Sequence, residues 1–204
     1  MGMATVVEVF ADVTCPFAHV GLRRFDQQRS VAGRDDIRLR VRAWPLELVN
    51  GEPLDASVVH EEVNEIREQV APDLFRGFDE TTFPTSSLPA LALAAAAYEH
   101  DLDVGEKVSL ELRALLFERG IDISDPSVLA AIAARHDITI AAGIAEVVSD
   151  REDGVRRGVQ GSPHFFAGDA GFFCPGLDVN RDREGHLHVT ANPHAFDRFV
   201  AALL

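Results

Sequence analysis

Apolar and polar residues change their period twice along this chain. Thr5-Val6-Val7-Glu8-Val9-Phe10 is β-branched and apolar almost throughout, the pattern of a strand buried on both faces. From Pro16 to about Gln28, Val20, Leu22 and Phe25 offer an apolar packing face, which predicts a helix. Ile37-Arg38-Leu39-Arg40-Val41-Arg42-Ala43-Trp44 then alternates, the period of a second strand. Strand, helix and strand within roughly 40 residues make a βαβ unit, whose parallel pair needs helices on the sheet faces.

From about Ser57 to Gly158 the period is helical. Ser57 is placed to cap a helix carrying Val58, Val59, Val63, Ile66 and Val70. Leu88 to His100 is apolar nearly all round and predicts a buried helix. Val104 to Arg119 sets Val108, Leu112, Leu115 and Leu116 on one stripe, and Asp125-Pro126 opens another helix, to about Arg135, with a capping residue and a first-turn proline. A last one is expected from about Ile138 to Gly158. Strand signals then return: His164-Phe165-Phe166-Ala167 and Gly171-Phe172-Phe173-Cys174 flank the hairpin turn Gly168-Asp169-Ala170. Asn192-Pro193 starts a C-terminal helix that buries Phe196, Phe199, Val200 and Leu203. The expected order is βαβ, a helical block, then ββα.

At 204 residues the chain is long enough to bury a real core as one domain with an insertion. A net charge of -14 argues against nucleic acid or an anionic membrane as partner. No apolar run approaches the roughly 20 residues of a spanning helix. The start, Met1-Gly2-Met3-Ala4-Thr5, leads straight into a strand without the features of a signal peptide, so a cytoplasmic protein is the default reading. Two cysteines make no disulfide framework, and in the cytosol their role is chemical or merely structural.

The first strand runs through Ala11-Asp12-Val13-Thr14 into Cys15-Pro16-Phe17-Ala18. A thiol at the first turn of a helix meets unpaired N–H groups and the positive end of the macrodipole, and both favour the nucleophilic thiolate. Pro16 suits the first turn because it has no N–H to leave unpaired. The step reads as the redox motif C-x-x-C with Ala18 in place of the second cysteine.

Asp12-Val13-Thr14-Cys15-Pro16-Phe17-Ala18-His19-Val20-Gly21 resembles the N-terminal pattern of the DsbA-type thioredoxin-fold oxidoreductases, nearest the FrnE-like branch. Gly158-Val159-Gln160-Gly161-Ser162-Pro163-His164-Phe165-Phe166 and Ala43-Trp44-Pro45-Leu46-Glu47-Leu48 are similar to two further segments of that family. The resemblance spans essentially the whole chain. It implies an α/β thioredoxin fold over residues 1–52 and 159–204, interrupted by an all-helical insertion over 53–158 that covers the Cys15 edge. It also implies a cis peptide at Pro163 facing Cys15, and a Ser162 backbone able to pair with a bound thiol substrate. A cis bond is common only before proline, and Gly161 is a flexible neighbour. The plain alternative is a trans proline that opens an edge strand.

Ala18 decides how much activity the resemblance carries. Dithiol exchange needs a second thiol on the same turn to attack the mixed disulfide, and Ala18 has none. The expectation is a thiol-disulfide oxidoreductase or thioltransferase working through one thiol. Cys15 is the nucleophile, Ser162 and Pro163 position the substrate sulfur, and Pro16, Phe17 and Trp44 shape the groove. No tightly bound cofactor and no metal site are expected, a low-molecular-weight thiol or disulfide is the co-substrate, and a homodimer is admitted. Cys174, expected about two strand spacings (~10 Å) from the Cys15 strand, is either a resolving thiol or a small buried hydrophobe. His19 and His164 either hold a proton near the thiolate or face solvent. Two alternatives stand beside this reading. One is a glutathione-type isomerase or transferase like the 2-hydroxychromene-2-carboxylate isomerases, relatives that typically carry serine at the Cys15 position. The other is a redox-inactive binding module.

Overall fold

In the computed structural model of the chain, which describes residues 5–139 and 143–203, β1 (Thr5–Ala11) runs parallel to β2 (Ile37–Ala43), Val9 opposite Val41. On its other side β1 pairs antiparallel with β3 (His164–Ala167), Val9 opposite Phe165, and β4 (Ala170–Phe173) closes the sheet antiparallel to β3. The order β2-β1-β3-β4 puts β1 inside, which its apolar sequence anticipates. Val7, Val9 and Ala11 pack with Leu22 and Phe25 of α1 (Pro16–Val31) and with Phe165 and Phe199, while Phe10 takes the opposite face with Trp44 and Phe166. Burial starts only at Val7, since Val6 remains 42% exposed. In β2 the alternation is real: Ile37, Leu39 and Val41 turn inward, and the intervening Arg38 and Arg42 reach out to Asp103 and to Asp150 and Asp153.

The segment between β2 and β3 is helical, as its period requires. After a short α2 (Leu46–Asn50) that the sequence pattern does not announce come α3 (Ala56–Gln69), α4 (Leu88–His100), α5 (Leu102–Arg119), α6 (Pro126–Arg135) and α7 (Gly143–Arg156). Their apolar stripes form one core: Val59, Val63 and Ile66 of α3, Leu91 and Leu93 of α4, Leu112 and Leu116 of α5, and Ile132 of α6. Val13 and Val20, on either side of Cys15, belong to the same cluster, so the insertion packs directly onto the turn that carries Cys15.

Several boundaries move. Asp55 and not Ser57 caps α3, its carboxylate accepting from the N–H groups of Ser57 and Val58 at 2.8 and 3.3 Å. Asp101 likewise caps α5, which starts at Leu102, two residues before Val104. In α6 Asp125 caps as expected, accepting from Ser127 N at 2.7 Å. The last insertion helix begins at Gly143, not Ile138; residues 140–142 of that expectation, like Met1 to Ala4, lie outside the described residues. Residues 177–191 hold an unexpected hairpin, β5 (Leu177–Arg181) against β6 (Leu187–Ala191), which leans on α3 before α8 (Pro193–Leu203). Its alternation, Leu177-Asp178-Val179 and Leu187-His188-Val189, is as plain as that of β2.

Candidate active site

Cys15 is the N-cap of α1, with extended backbone (φ -81°, ψ 117°), and Pro16 occupies the first helical position. The thiol therefore sits at the open end of the helix, as its sequence position predicts. Its Sγ lies 3.3 Å from the Ser162 carbonyl oxygen and, as a thiol, donates to it. The Ser162–Pro163 peptide is cis. Ser162 Oγ accepts from Asp12 N–H at 2.9 Å, so one residue of the proline loop grips the Cys15 turn at both ends.

The expectation of a thiolate fails at this point. Cys15 is only 3% exposed, and burial pushes its thiol up to about 12. The Ser162 side chain and the Ala18 N–H favour the anion but are outweighed, while Glu62 and Cys174 oppose it further. Removing a sulfur anion from water costs more than a helix terminus returns. The resting site holds a neutral thiol.

The turn beneath Cys15 rests on Asp12, whose side chain is fully buried. Its carboxyl accepts from Thr14 N and Thr14 Oγ1 at 2.8 Å, from Leu46 N at 2.6 Å and from Ser87 Oγ at 3.1 Å. Burial nevertheless raises it above the ordinary aspartate range. Arg113, 1% exposed, donates from Nη2 to the Asp12 carbonyl at 3.1 Å and from Nη1 to Ser109, and its Nε has no partner among the described residues. Burial lowers this guanidinium to about 10, and a Cys15 thiolate would raise it. Asp12 was legible as the start of an Asx turn onto Thr14. Arg113 was not: nothing in its helix distinguishes it from a solvated arginine.

A cleft of about 530 Å³ has Phe17, Ser162, Phe173, Cys174 and Asn180 in its wall, and Ser162 is the residue whose carbonyl the Cys15 thiol meets. Phe17 and Ser162 are both in that wall, and Pro16 and Pro163 are buried. Trp44 is not in the wall: its ring packs edge-on against Phe10 at 6.5 Å, in the cluster on the far face of the sheet from Cys15. Parity along the chain explains the correction, because β2 places Ile37, Leu39 and Val41 on the Cys15 face. Cys174 lies one residue past β4 in a left-handed turn (φ 42°), its N–H donating to Pro163 O at 2.8 Å. Both cysteines are free thiols, and burial pushes Cys174 up to about 12 as well.

Neither histidine faces solvent. His164 is buried, stacks on Phe166 at 4.7 Å, and accepts from Gln160 N–H through Nδ1. His19, 1% exposed, is wedged between Phe75 and Phe117, with Nε2 at 2.7 Å from Glu118 Oε1. Burial lowers both imidazoles below the usual histidine range, so His19 is neutral and donates to a carboxylate. Burial alone would raise Glu118, but His19 and the Phe75 and Arg76 N–H groups hold it down to about 2. The depressed carboxylate contributes stability that is fully present above its unfolded value of 4.5 and is lost as pH falls through about 2. Glu118→Gln should cost about 1–3 kcal/mol near neutral pH, and the gap to wild type should close over that acid window. Denaturant titrations at stepped pH measure it; a gap independent of pH there would contradict the assignment.

The family model described as a DSBA-like thioredoxin domain matches residues 6–181. No curated protein matches the sequence. Among solved structures, a 2-hydroxychromene-2-carboxylate isomerase superposes with a TM-score of 0.61 at 15% identity, covering 82% of this chain and 88% of that one. The cytosolic disulfide reductase DsbM from Pseudomonas aeruginosa, in its structure with GSH, gives 0.62 at 16% identity, covering 96% and 97%. At such identities the likeness is one of fold. No helix among the described residues is long and apolar enough to cross a membrane.

Proposed function

This chain belongs to the DSBA-like thioredoxin domain family, and we propose that it is a thioltransferase or disulfide reductase working through Cys15 alone, with a small thiol as co-substrate. The observation that carries the reading is the placement of the Cys15 sulfur. It sits at a helix N-terminus, 3.3 Å from the carbonyl of a cis-proline loop whose Ser162 also walls an open cleft. Cys15, once deprotonated, attacks one sulfur of a disulfide; the sulfur–sulfur bond breaks, and the other half leaves as a thiol. With Ala18 on the same turn, the mixed disulfide is not closed locally, so a second small thiol attacks the substrate-derived sulfur, Cys15 leaves as the free thiol, and the small thiol departs carrying the substrate half. The DsbM structure with GSH is a neighbour of this fold that takes such a thiol.

The neutral state of the buried thiol favours one other reading. A protonated Cys15 could donate a hydrogen bond to the thiolate of a bound small thiol, as an isomerase or transferase of the 2-hydroxychromene-2-carboxylate type would require. Intact-mass spectrometry of the reduced protein mixed with glutathione disulfide separates the two. We expect one adduct on wild type and on Cys174→Ser, and none on Cys15→Ser. Glutathione binding without any adduct, at every pH tried, would sink the thioltransferase reading.

A further inference from the structure

One side chain in the wall of the cleft carries a charge, and it is an acid. Among the described residues Asp178 of β5 is the sole charged group there; the rest of the wall is apolar, as at Phe17 and Phe173, or neutral and polar, as at Ser162 and Asn180. Both Asp178 carboxylate oxygens accept from Asn192 Nδ2 at 3.1 Å, a contact that orients the group and cancels none of its charge. No cation pairs with it among the described residues, and Arg181, three positions on, is tied to Glu61 at 3.1 Å and to the Gly185 carbonyl at 2.8 Å. Phe173 and Val179 remain exposed, so the same wall also offers apolar surface. The wall meets the Cys15 turn at three points. Phe17 follows Cys15 by two residues, the Ser162 carbonyl accepts from the thiol at 3.3 Å, and the Cys174 N–H donates to the next carbonyl, that of Pro163, at 2.8 Å.

We propose that the disulfide attacked by Cys15 carries an amine on a short aliphatic chain, its ammonium held at Asp178 and its carbon chain against Phe17 and Phe173. The inference rests on Cys15 being the nucleophile and adds the chemical class of the substrate; the bonds made and broken are those of the single-thiol exchange. A cleft of about 530 Å³ is of small-molecule size. An ammonium brought to a carboxylate without a cationic partner gains attraction, the more so where the cleft wall displaces water. A carboxylate-bearing disulfide meets like charge at the same point, on a protein whose net charge is already -14. Burial first, and then the Asp178 charge, raises the Cys174 thiol, so that carboxylate acts on the wall it belongs to.

Three small symmetric disulfides separate charge from fit: cystamine, which is cationic, bis(2-hydroxyethyl) disulfide, which is neutral, and dithiodiglycolate, which is anionic. Their rates of adduct formation on Cys15 are read by intact mass in a Cys174→Ser background. In Asp178→Asn cystamine should slow and dithiodiglycolate should speed up, so that the ratio of the two falls on the order of tenfold, while the neutral probe keeps its rate. Comparing each ratio with the parent's cancels the intrinsic reactivities of the probes. Asn180→Lys, which sets a cation in the same wall, should move the ratio the same way. Asp169→Asn, an equal loss of charge in the exposed turn between β3 and β4, should leave it where it was. A ratio unmoved by Asp178→Asn overturns the proposal. So does a common change in all three rates, or an equal shift in Asp169→Asn, which would make net charge the cause. If Asp178→Asn does not fold, an unmoved ratio in Asn180→Lys overturns it alone. Absence of any adduct on the parent instead removes the Cys15 reading, which distinguishes the two failures.

Discussion

Under the proposed single-thiol reaction, Ala18→Cys should let the protein close its own mixed disulfide. Ala18 is on the first turn of α1, three residues from Cys15, and its N–H already lies against the Cys15 sulfur. Residues three apart on a helix are neighbours, and a bridge needs Cα atoms within about 7 Å. With a small disulfide the variant should release a second equivalent of thiol and lose the adduct mass, leaving an internal disulfide; wild type should keep the adduct. Ala18 is fully buried, so the reduced variant should also lose about 1–3 kcal/mol from overpacking. If the adduct persisted on Ala18→Cys as on wild type, the absent thiol would not be what limits the chemistry.

Asp12→Ala should be the most destabilising single change in the site. It strips the acceptor from the buried N–H groups of Thr14 and Leu46, and from the hydroxyls of Thr14 and Ser87. It also leaves the Arg113 cation without the carboxyl beside it. Each stranded donor costs about 1–3 kcal/mol, and breaking a buried charge network typically costs about 3–5 kcal/mol. We expect a loss in that upper range by guanidinium titration, with part regained in Asp12→Asn, whose amide keeps one acceptor oxygen. A loss below about 1 kcal/mol would mean that Asp12 does not hold the turn. Because the turn carries Cys15, adduct formation should slow in both variants.

What could be read from the chain was what is local. Period-two alternation placed β2, and period-3.6 stripes placed the helices of the insertion. A cysteine followed by proline at the end of a buried strand placed the thiol at a helix terminus, where the structure has it. Reading failed where a feature was short or where the partner was distant. The α2 turn is five residues long and has no buried residue to give it a period. The β5–β6 hairpin did carry its alternation, but among the described residues it pairs with itself and adds no strand to the main sheet. Trp44 sits three residues from Val41, which turns to the expected face, and that odd spacing sends it to the other.

Cys15-Pro16-Phe17-Ala18 and Ser162-Pro163 define the chemistry that is present, a single thiol and a proline loop, because residue identity and helix position are properties of the chain alone. The state of that thiol is not. Its protonation depends on how completely α3 and α5 exclude water, and on where Glu62, Arg113 and Cys174 come to rest, from 47 to 159 positions away along the chain. Desolvation and charge act through space, so the same four residues at an open helix end would favour a thiolate. Packed under the insertion, where burial pushes the thiol up to about 12, they favour its neutral form.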